Sequence, residues 1–276
     1  MKLAYDIDSN DNRDPVLLAR LARFVDAVMR PYFRAEVRGL DRIPRGAALY
    51  VGNHNGGIMT FDSFLFGAAV LRERGIEDVP YGLGHEVAIS MPPVHQMIVP
   101  LGAVRASHDN ARRLFARGHK VLVYPGGDLE AMRPYRDRDR IVFGGRRGYI
   151  RLALREGVPV VPVVAAGAHA TLRILDDLRW LARWTGAARH LRIKVWPLSL
   201  SIPWGISLVP AFPYWPWPTK ILIEALEPMV FDRRGEEASL DEEYVAACAE
   251  RVESAMQRAL DRLAAERADY LRSRIL

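Results

Sequence analysis

The chain has 276 residues, half of them hydrophobic and about a quarter charged. That is enough for a large core in one α/β domain with appendages, two domains being the alternative. The single cysteine, Cys248, excludes a disulfide framework and a cysteine metal cluster, and favours a reducing compartment. The net charge is +6, and 35 of the 39 basic residues are arginine, a skew that a GC-rich genome explains. The sign favours an anionic partner. Nucleic acid is set aside, because no such motif occurs and the aromatics do not interleave with the basic residues as a stacking platform requires.

The first residues lack the apolar core of a signal peptide, since Asp6, Asp8, Asp11 and Asp14 interrupt them. No strong transmembrane helix stands out. Asp14-Pro15 is a helix start, with Asp as N-cap and Pro in the first turn. Leu17, Leu18, Leu21, Phe24, Val25 and Val28 then recur at helical spacing, punctuated by Arg20, Arg23, Arg30 and Arg34. Two readings fit: a surface helix packed on the core, or a basic amphipathic helix lying on an anionic membrane. A turn over 41–46 leads into a short apolar run, 47–51, which reads as a buried strand stopping at Gly52.

Asn53 and His54 follow, then Gly56 and Gly57, then Thr60 as N-cap of an apolar helix carrying Asp62 in its first turn. A histidine just past a strand end lies where α/β folds bind ligands. With a nearby carboxylate it meets the minimum for deprotonating an alcohol: the carboxylate fixes one imidazole tautomer while the other nitrogen takes the proton. Gly56 and Gly57 permit positive φ, so the loop can fold back and join the two side chains. The competing reading is a structural loop histidine and an aspartate serving the helix dipole.

Beyond the 64–74 helix, 79–84 reads as a strand, and His85 and Glu86 after it are assigned structural roles. Residues 97–104 read as another short strand, and Ser107 caps a helix ending at Gly118. Residues 121–124 read as a buried strand running into Tyr124-Pro125-Gly126-Gly127-Asp128-Leu129-Glu130. That sequence is either a tight turn or a set of open backbone N–H groups for a phosphate or oxyanion. Residues 136–140 alternate in charge as a solvated loop. A helix over 149–155 stops at Gly157. Residues 158–164 read as a strand whose two prolines suit an edge or a bulge.

No charged residue occurs from 195 to 219 outside the flanks, while four tryptophans and six prolines do. So many prolines forbid a continuous helix. The stretch reads as an apolar loop region, with 206–209 a candidate strand. It either packs internally, walls an acyl-chain tunnel or dips into a membrane interface. A last strand at 221–225 precedes a capping box, Ser239 to Glu242, that opens a long helix. Its apolar face carries Val245, Cys248, Val252, Met256, Leu260 and Leu263.

Taken together, these pieces resemble the plsC-type glycerolipid acyltransferases, and more closely the mono- and diacylglycerol acyltransferase-like bacterial branch. The matching residues are Asn53-His54-Asn55-Gly56-Gly57 with Asp62, 102–107 before the Asn110-Ala111 helix, Tyr124-Pro125-Gly126-Gly127 with Glu130, 148–154, and 158–163. They stand in the family's order over about residues 35–230. The resemblance implies an α/β fold with a mixed central sheet flanked by helices, an N-terminal amphipathic helix and a long C-terminal helix. The expected organisation is 1–34 amphipathic helical segment, 35–230 acyltransferase domain, and 231–276 C-terminal helix.

The resemblance also implies transfer of a fatty acyl group from acyl-CoA or acyl carrier protein to a lipid hydroxyl. In that scheme His54 is general base and Asp62 orients it. Asn53, Gly56, Gly57, Arg105, Tyr124, Pro125, Gly126, Gly127 and Glu130 are the expected substrate-binding residues. No cofactor or metal is expected. The partners are the acyl donor, a lipid acceptor and a membrane surface, at a cytoplasmic face and in a peripheral mode. Direct attack by the alcohol needs no serine or cysteine nucleophile, and there is no Gly-x-Ser-x-Gly elbow.

Two departures from the family pattern stand out. Seven residues separate His54 from Asp62, where four are usual. Gly126 and Leu129 occupy the places of a glutamate and an arginine, which removes a grip on an acceptor phosphate and favours a neutral acceptor, unless Arg105, Arg133, Arg146 or Arg147 replaces it. A non-catalytic lipid-binding protein on the same fold is the main alternative. A metal hydrolase built on His54, Asp62, Asp128 and Glu130 is disfavoured, since one histidine with scattered carboxylates is a poor metal set.

Overall fold

The computed structural model describes residues 4–57, 59–184, 196–211 and 213–273. Its centre is β2 (Ala48–Gly52), all five residues of which are buried. It runs parallel to β5 (Lys120–Val123) on one side and to β6 (Val160–Ala166) on the other. A strand flanked on both sides and covered on both faces must be apolar throughout, which is why 47–51 shows no alternation.

The side chains nevertheless alternate between two cores, as strand geometry requires. Leu49, Val51, Val121 and Val164 join one core with the helices His108–Ala116, Gly148–Glu156 and Glu242–Arg272. Ala48, Tyr50, Leu122 and Val163 join the other with the helices Pro15–Phe24 and Phe61–Arg74. The full sheet has seven strands, completed by β1 (Glu36–Arg38), β3 (Tyr81–Gly84), β4 (Ala103–Arg105) and β10 (Leu222–Ala225). Its order is β1-β10-β6-β2-β5-β3-β4, and only the β10–β6 pairing is antiparallel. It is the expected mixed sheet between helices, and it places the loops after β2 and β5 side by side.

A second, three-stranded antiparallel sheet joins β7 (Arg173–Asp176), β8 (Leu198–Ser201) and β9 (Gly205–Leu208). It corrects the reading of 195–219 as mainly loop. Val195 and Phe212 lie outside the described residues. The candidate strand at 206–209 is β9, one residue earlier. β8 was illegible because its leucines face outward and its serines inward.

Other boundaries also differ. Residues 97–104 are not one strand: the helix Pro92–Ile98 and a 3-10 turn, Val99–Leu101, precede the three-residue β4. The apolar run is consumed by a turn that starts on Pro92-Pro93. β6 is not an edge strand, although it contains Pro162; its antiparallel pairing shifts register by one residue across that proline, from Val163↔Ala225 to Val160↔Met229, as at a bulge. The Pro162 carbonyl accepts from the Leu226 N–H at 2.8 Å, just past the end of β10. The missing proline donor therefore falls where the register slips, before the Val160–Met229 pair resumes the ladder. Thr60 precedes the Phe61–Arg74 helix but makes no side-chain cap.

The long helix is capped by Asp241, whose carboxylate accepts from the Tyr244 N–H at 3.0 Å; Ser239 belongs to the short helix Glu236–Leu240 before it. Its six named apolar residues are all buried. The Asp14 cap is as expected, accepting from the Val16 and Leu17 N–H groups at 2.8 and 3.1 Å. No helix among the described residues is long and apolar enough to cross a membrane.

Candidate active site

β2 ends at Gly52, and the chain turns through Asn53 to Gly57 over the ends of β5 and β6. Gly52 is dictated by packing: a Cβ there would stand 2.5 Å from Tyr124 Cε1. Asn53 ties the loop to β6, its amide donating to the Ala165 carbonyl at 3.0 Å while its oxygen accepts from the Ala165 N–H at 2.8 Å. Gly56 and Gly57 both take positive φ, +67° and +73°. A Cβ on Gly56 would also sit 2.6 Å from Thr171 Oγ1, so glycine is required twice over.

His54 is half-buried at the turn, and its Nδ1 is buried without a hydrogen-bond partner. The Tyr124 ring lies against it, centroids 5.0 Å apart. The Tyr124 hydroxyl is hydrogen-bonded to Ser63 on the Phe61–Arg74 helix, which fixes that ring. Burial first, and then the Arg133 cation, push the His54 imidazolium down to about 4, so the ring is neutral at pH 7.

Asp62 is buried on the first turn of its helix. Its Oδ2 accepts from Asn55 Nδ2 at 2.9 Å and its Oδ1 from the Ser63 N–H at 3.1 Å. Burial raises its carboxyl to about 6 against the pull of these donors. The carboxylate is thus bonded to the residue after His54, and no hydrogen bond joins it to the imidazole in this state.

Beneath the loop lies a buried polar cluster. Glu130 is fully buried and accepts from the His54 N–H at 2.8 Å and the Val142 N–H at 3.0 Å. Burial pushes it up to about 7. A Cβ on Gly126 would stand 2.4 Å from Glu130, so this glycine makes room for the carboxyl.

Arg133, 1% exposed, is the largest fully buried side chain among the described residues. Its guanidinium donates to the carbonyls of His54 (2.6 Å), Glu130 (2.7 Å), Arg138 (2.8 Å) and Asp137 (3.1 Å), and to Asn55 Oδ1 (2.8 Å). His169 completes the cluster. Its Nε2 donates to the Arg133 carbonyl at 2.8 Å and its Nδ1 accepts from the Gly56 N–H at 3.3 Å, which fixes the neutral tautomer.

The structure therefore brings His54, Asp62, Asn53, Gly56, Gly57, Tyr124, Gly126 and Glu130 into one site. Pro125 and Gly127 lie in its wall as a turn: the Gly127 N–H donates to the Tyr124 carbonyl at 3.1 Å, so that donor is occupied. Arg105 stands apart on β4, three strand spacings or roughly 14 Å across the sheet from β2. It makes two hydrogen bonds to Asp8, at 2.8 and 2.7 Å. Arg146 is held by Asp128 at 2.7 Å and the Gly126 carbonyl at 2.8 Å. Asp128 and Glu130 are thus spent on protein partners.

Two contributors escaped the sequence reading as parts of the site floor. Arg133 carried a trace, standing three residues after Glu130, but had been weighed only as an acceptor-binding cation. His169 lies just past the end of β6, as His54 lies past β2, and that parallel was the available signal.

The site thus holds a neutral histidine at a strand end above a buried polar cluster, and the fold is that of an α/β acyltransferase. Residues 34–166 match the family model described as Acyltransferase. The crystal structure of the 1-acyl-sn-glycerophosphate (LPA) acyltransferase PlsC from Thermotoga maritima has the same fold, with a TM-score of 0.54 and 18% identity over 89% of this chain and 79% of that one.

An uncharacterised protein of Mycobacterium tuberculosis is 31% identical over 185 residues, 64% of this chain and 51% of its own. The mouse DGAT1/2-independent enzyme synthesizing storage lipids is 25% identical over 149 residues, 54% of this chain and 44% of its own. The chloroplastic phytyl ester synthase 2 of Arabidopsis thaliana is 28% identical over 149 residues, 51% of this chain and 21% of its own. The chain spans about half the length of the first of these curated relatives, and less of the others.

Proposed function

We propose that this protein transfers a fatty acyl group from a thioester donor, acyl-CoA or acyl carrier protein, to the hydroxyl of a neutral glycerolipid or similar lipid alcohol. The reaction takes place at the cytoplasmic face of a membrane, in a bacterial cell. The observation that carries this reading is His54: a neutral imidazole at the β2 end, with an unpartnered Nδ1 and the Asp62 carboxylate one hydrogen bond away through Asn55.

In the reacting state Asp62 exchanges its Asn55 donor for His54 Nδ1–H, and Nε2 takes the acceptor's proton. The alkoxide oxygen bonds to the thioester carbonyl carbon, the C–S bond breaks, and the thiolate leaves with the proton from His54. Charge, atoms and protons balance without a covalent enzyme intermediate.

The arginines support a neutral acceptor. Arg105 is bound to Asp8, Arg133 is enclosed, and Arg146 is bound to Asp128. Of the four candidates only Arg147 is exposed without an ion pair among the described residues. Two relatives, by their names, synthesize storage lipids and phytyl esters, products in keeping with such an acceptor.

One observation favours a second reading, a lipid-binding protein without turnover: Asp62 is fully occupied by Asn55 and Ser63. Thiol release from acyl-CoA, measured with and without a lipid mixture, separates the two. Release that needs the lipid and falls 10²–10⁴-fold in a folded His54→Ala variant supports transfer. Tight lipid binding with no release in the presence of either donor overturns it.

A further inference from the structure

Two strands of the small sheet, β8 and β9, are inside out. In β8, Ser199 and Ser201 are buried (0% and 2% exposed) while Leu198 and Leu200 lie on the opposite, partly exposed face. In β9, Ile206 is 67% exposed and Leu208 is also exposed. A sheet in water shows the reverse alternation. Ser199 Oγ lies 3.3 Å from Ser207 Oγ, while Ser201 Oγ is buried without a partner.

Every tryptophan of the chain falls between positions 180 and 217. Trp180, Trp184, Trp204 and Trp215 are each at least half exposed. From 178 to 223 the sequence holds no aspartate or glutamate, but six arginines and lysines.

This face continues onto the N-terminal helix. The Trp215 indole N–H donates to the Tyr32 hydroxyl at 3.0 Å, and Tyr32 in turn donates to the Pro216 carbonyl at 2.7 Å. One and two turns before Tyr32, Val28 and Phe24 are exposed. Arg20, Arg23 and Arg34 flank them and have no ion pair among the described residues.

We propose that this combined face, the outer side of β7–β8–β9 with the exposed side of the N-terminal helix, docks on an anionic lipid bilayer. Indole rings with one polar edge suit the boundary between headgroups and acyl chains. Unpaired arginines beside them suit anionic headgroups. A second copy of the chain is the poorer occupant, because two-fold pairing would bring the exposed, unpaired Arg20, Arg23 and Arg34 of each copy onto the same interface. The inner side of the sheet rests on the His54 loop: Tyr214 donates to the Gly56 carbonyl at 2.7 Å, and Leu172 packs where a Gly57 Cβ would stand. Docking therefore presents the His54 loop close to the membrane. The docking stands independently of acyl transfer, and only the purpose of that orientation rests on the proposed function.

The test uses intrinsic fluorescence, since no tryptophan lies elsewhere. The full chain is mixed with vesicles of phosphatidylcholine, alone or with phosphatidylglycerol, carrying lipids brominated on the acyl chains. The expected result is a blue shift and quenching on the anionic vesicles, with binding at least about tenfold weaker on the neutral ones and for an I206S/L208S variant. Binding without quenching would mean another face docks. No binding, or a dimer that I206S/L208S dissociates, would equally overturn the proposal. If that variant misfolds by circular dichroism, the wild-type quenching still decides. Turnover of a short-chain, water-soluble donor and acceptor should be unchanged in the variant. Docking without turnover would defeat the acyltransfer reading alone, and turnover without docking this one alone.

Discussion

Replacing Arg133 by methionine tests whether the His54 loop is held from below. The guanidinium serves five acceptors: the carbonyls of His54, Glu130, Asp137 and Arg138, and the Asn55 side-chain oxygen. Each buried acceptor left without a donor costs roughly 1–3 kcal/mol. Water entry and relief from desolvating the cation offset part of that sum, and loss of one partner from a buried charged network costs about 3–5 kcal/mol. At roughly 2–4 °C per kcal/mol, melting should fall by about 10 °C.

A second readout is electrostatic. Arg133 helps push His54 down to about 4, so its removal must raise the His54 titration midpoint, followed by NMR of the imidazole. A variant that loses less than about 1 kcal/mol in urea unfolding, with the His54 midpoint unmoved, would refute the reasoning.

A Gly52→Ala variant places a methyl 2.5 Å from the Tyr124 ring; overpacking of this kind costs about 1–3 kcal/mol and should lower turnover by displacing the ring from His54. In the proposed mechanism His54 is neutral down to about pH 4, but Asp62 must be ionised and burial raises its carboxyl to about 6, so kcat/KM should fall as pH drops below about 6; a profile flat from pH 7 to 5 would contradict this. Glu130 is raised above its unfolded value, so its contribution is complete below about pH 4.5 and lost as pH rises through about 7. Measured against Glu130→Gln by urea unfolding at pH 5 and 8, the wild type should lose on the order of 2–3 kcal/mol more, and parallel curves would exclude the effect. Asp14→Ala removes a cap with two N–H partners and should cost about 1 kcal/mol in the same assay, a loss below a few tenths showing the cap to be idle.

The central layer was legible because its physics is local. A strand buried on both faces must be an unbroken apolar run, and 47–51 is one. A histidine followed by two glycines then marked the turn, and six apolar residues at helical spacing marked the last helix. What failed was set by tertiary context. β8 was hidden because its polar residues point inward. Pro162 suggested an edge as readily as a bulge because nothing in the sequence says that β10 runs beside it. Arg133 looked like a ligand-binding cation because its five acceptors come from residues 54–55, 130 and 137–138. The gathering of site residues around His54 followed from strand order, while the hydrogen bond taking Asp62 to Asn55 did not.

The borders of the large sheet carry a further consequence. Beyond β4, the Arg105 N–H is already taken by the Ile7 carbonyl at 2.8 Å, so residues before the first helix seal that side. At the other border β1 is three residues long, and its Glu36 and Arg38 are locked to each other, to Lys220 and to Glu266. Neither border offers an open ladder to an incoming strand. Strand addition to the large sheet is thereby opposed even while a tryptophan-rich face stands exposed, so crowding this protein should leave that sheet unextended.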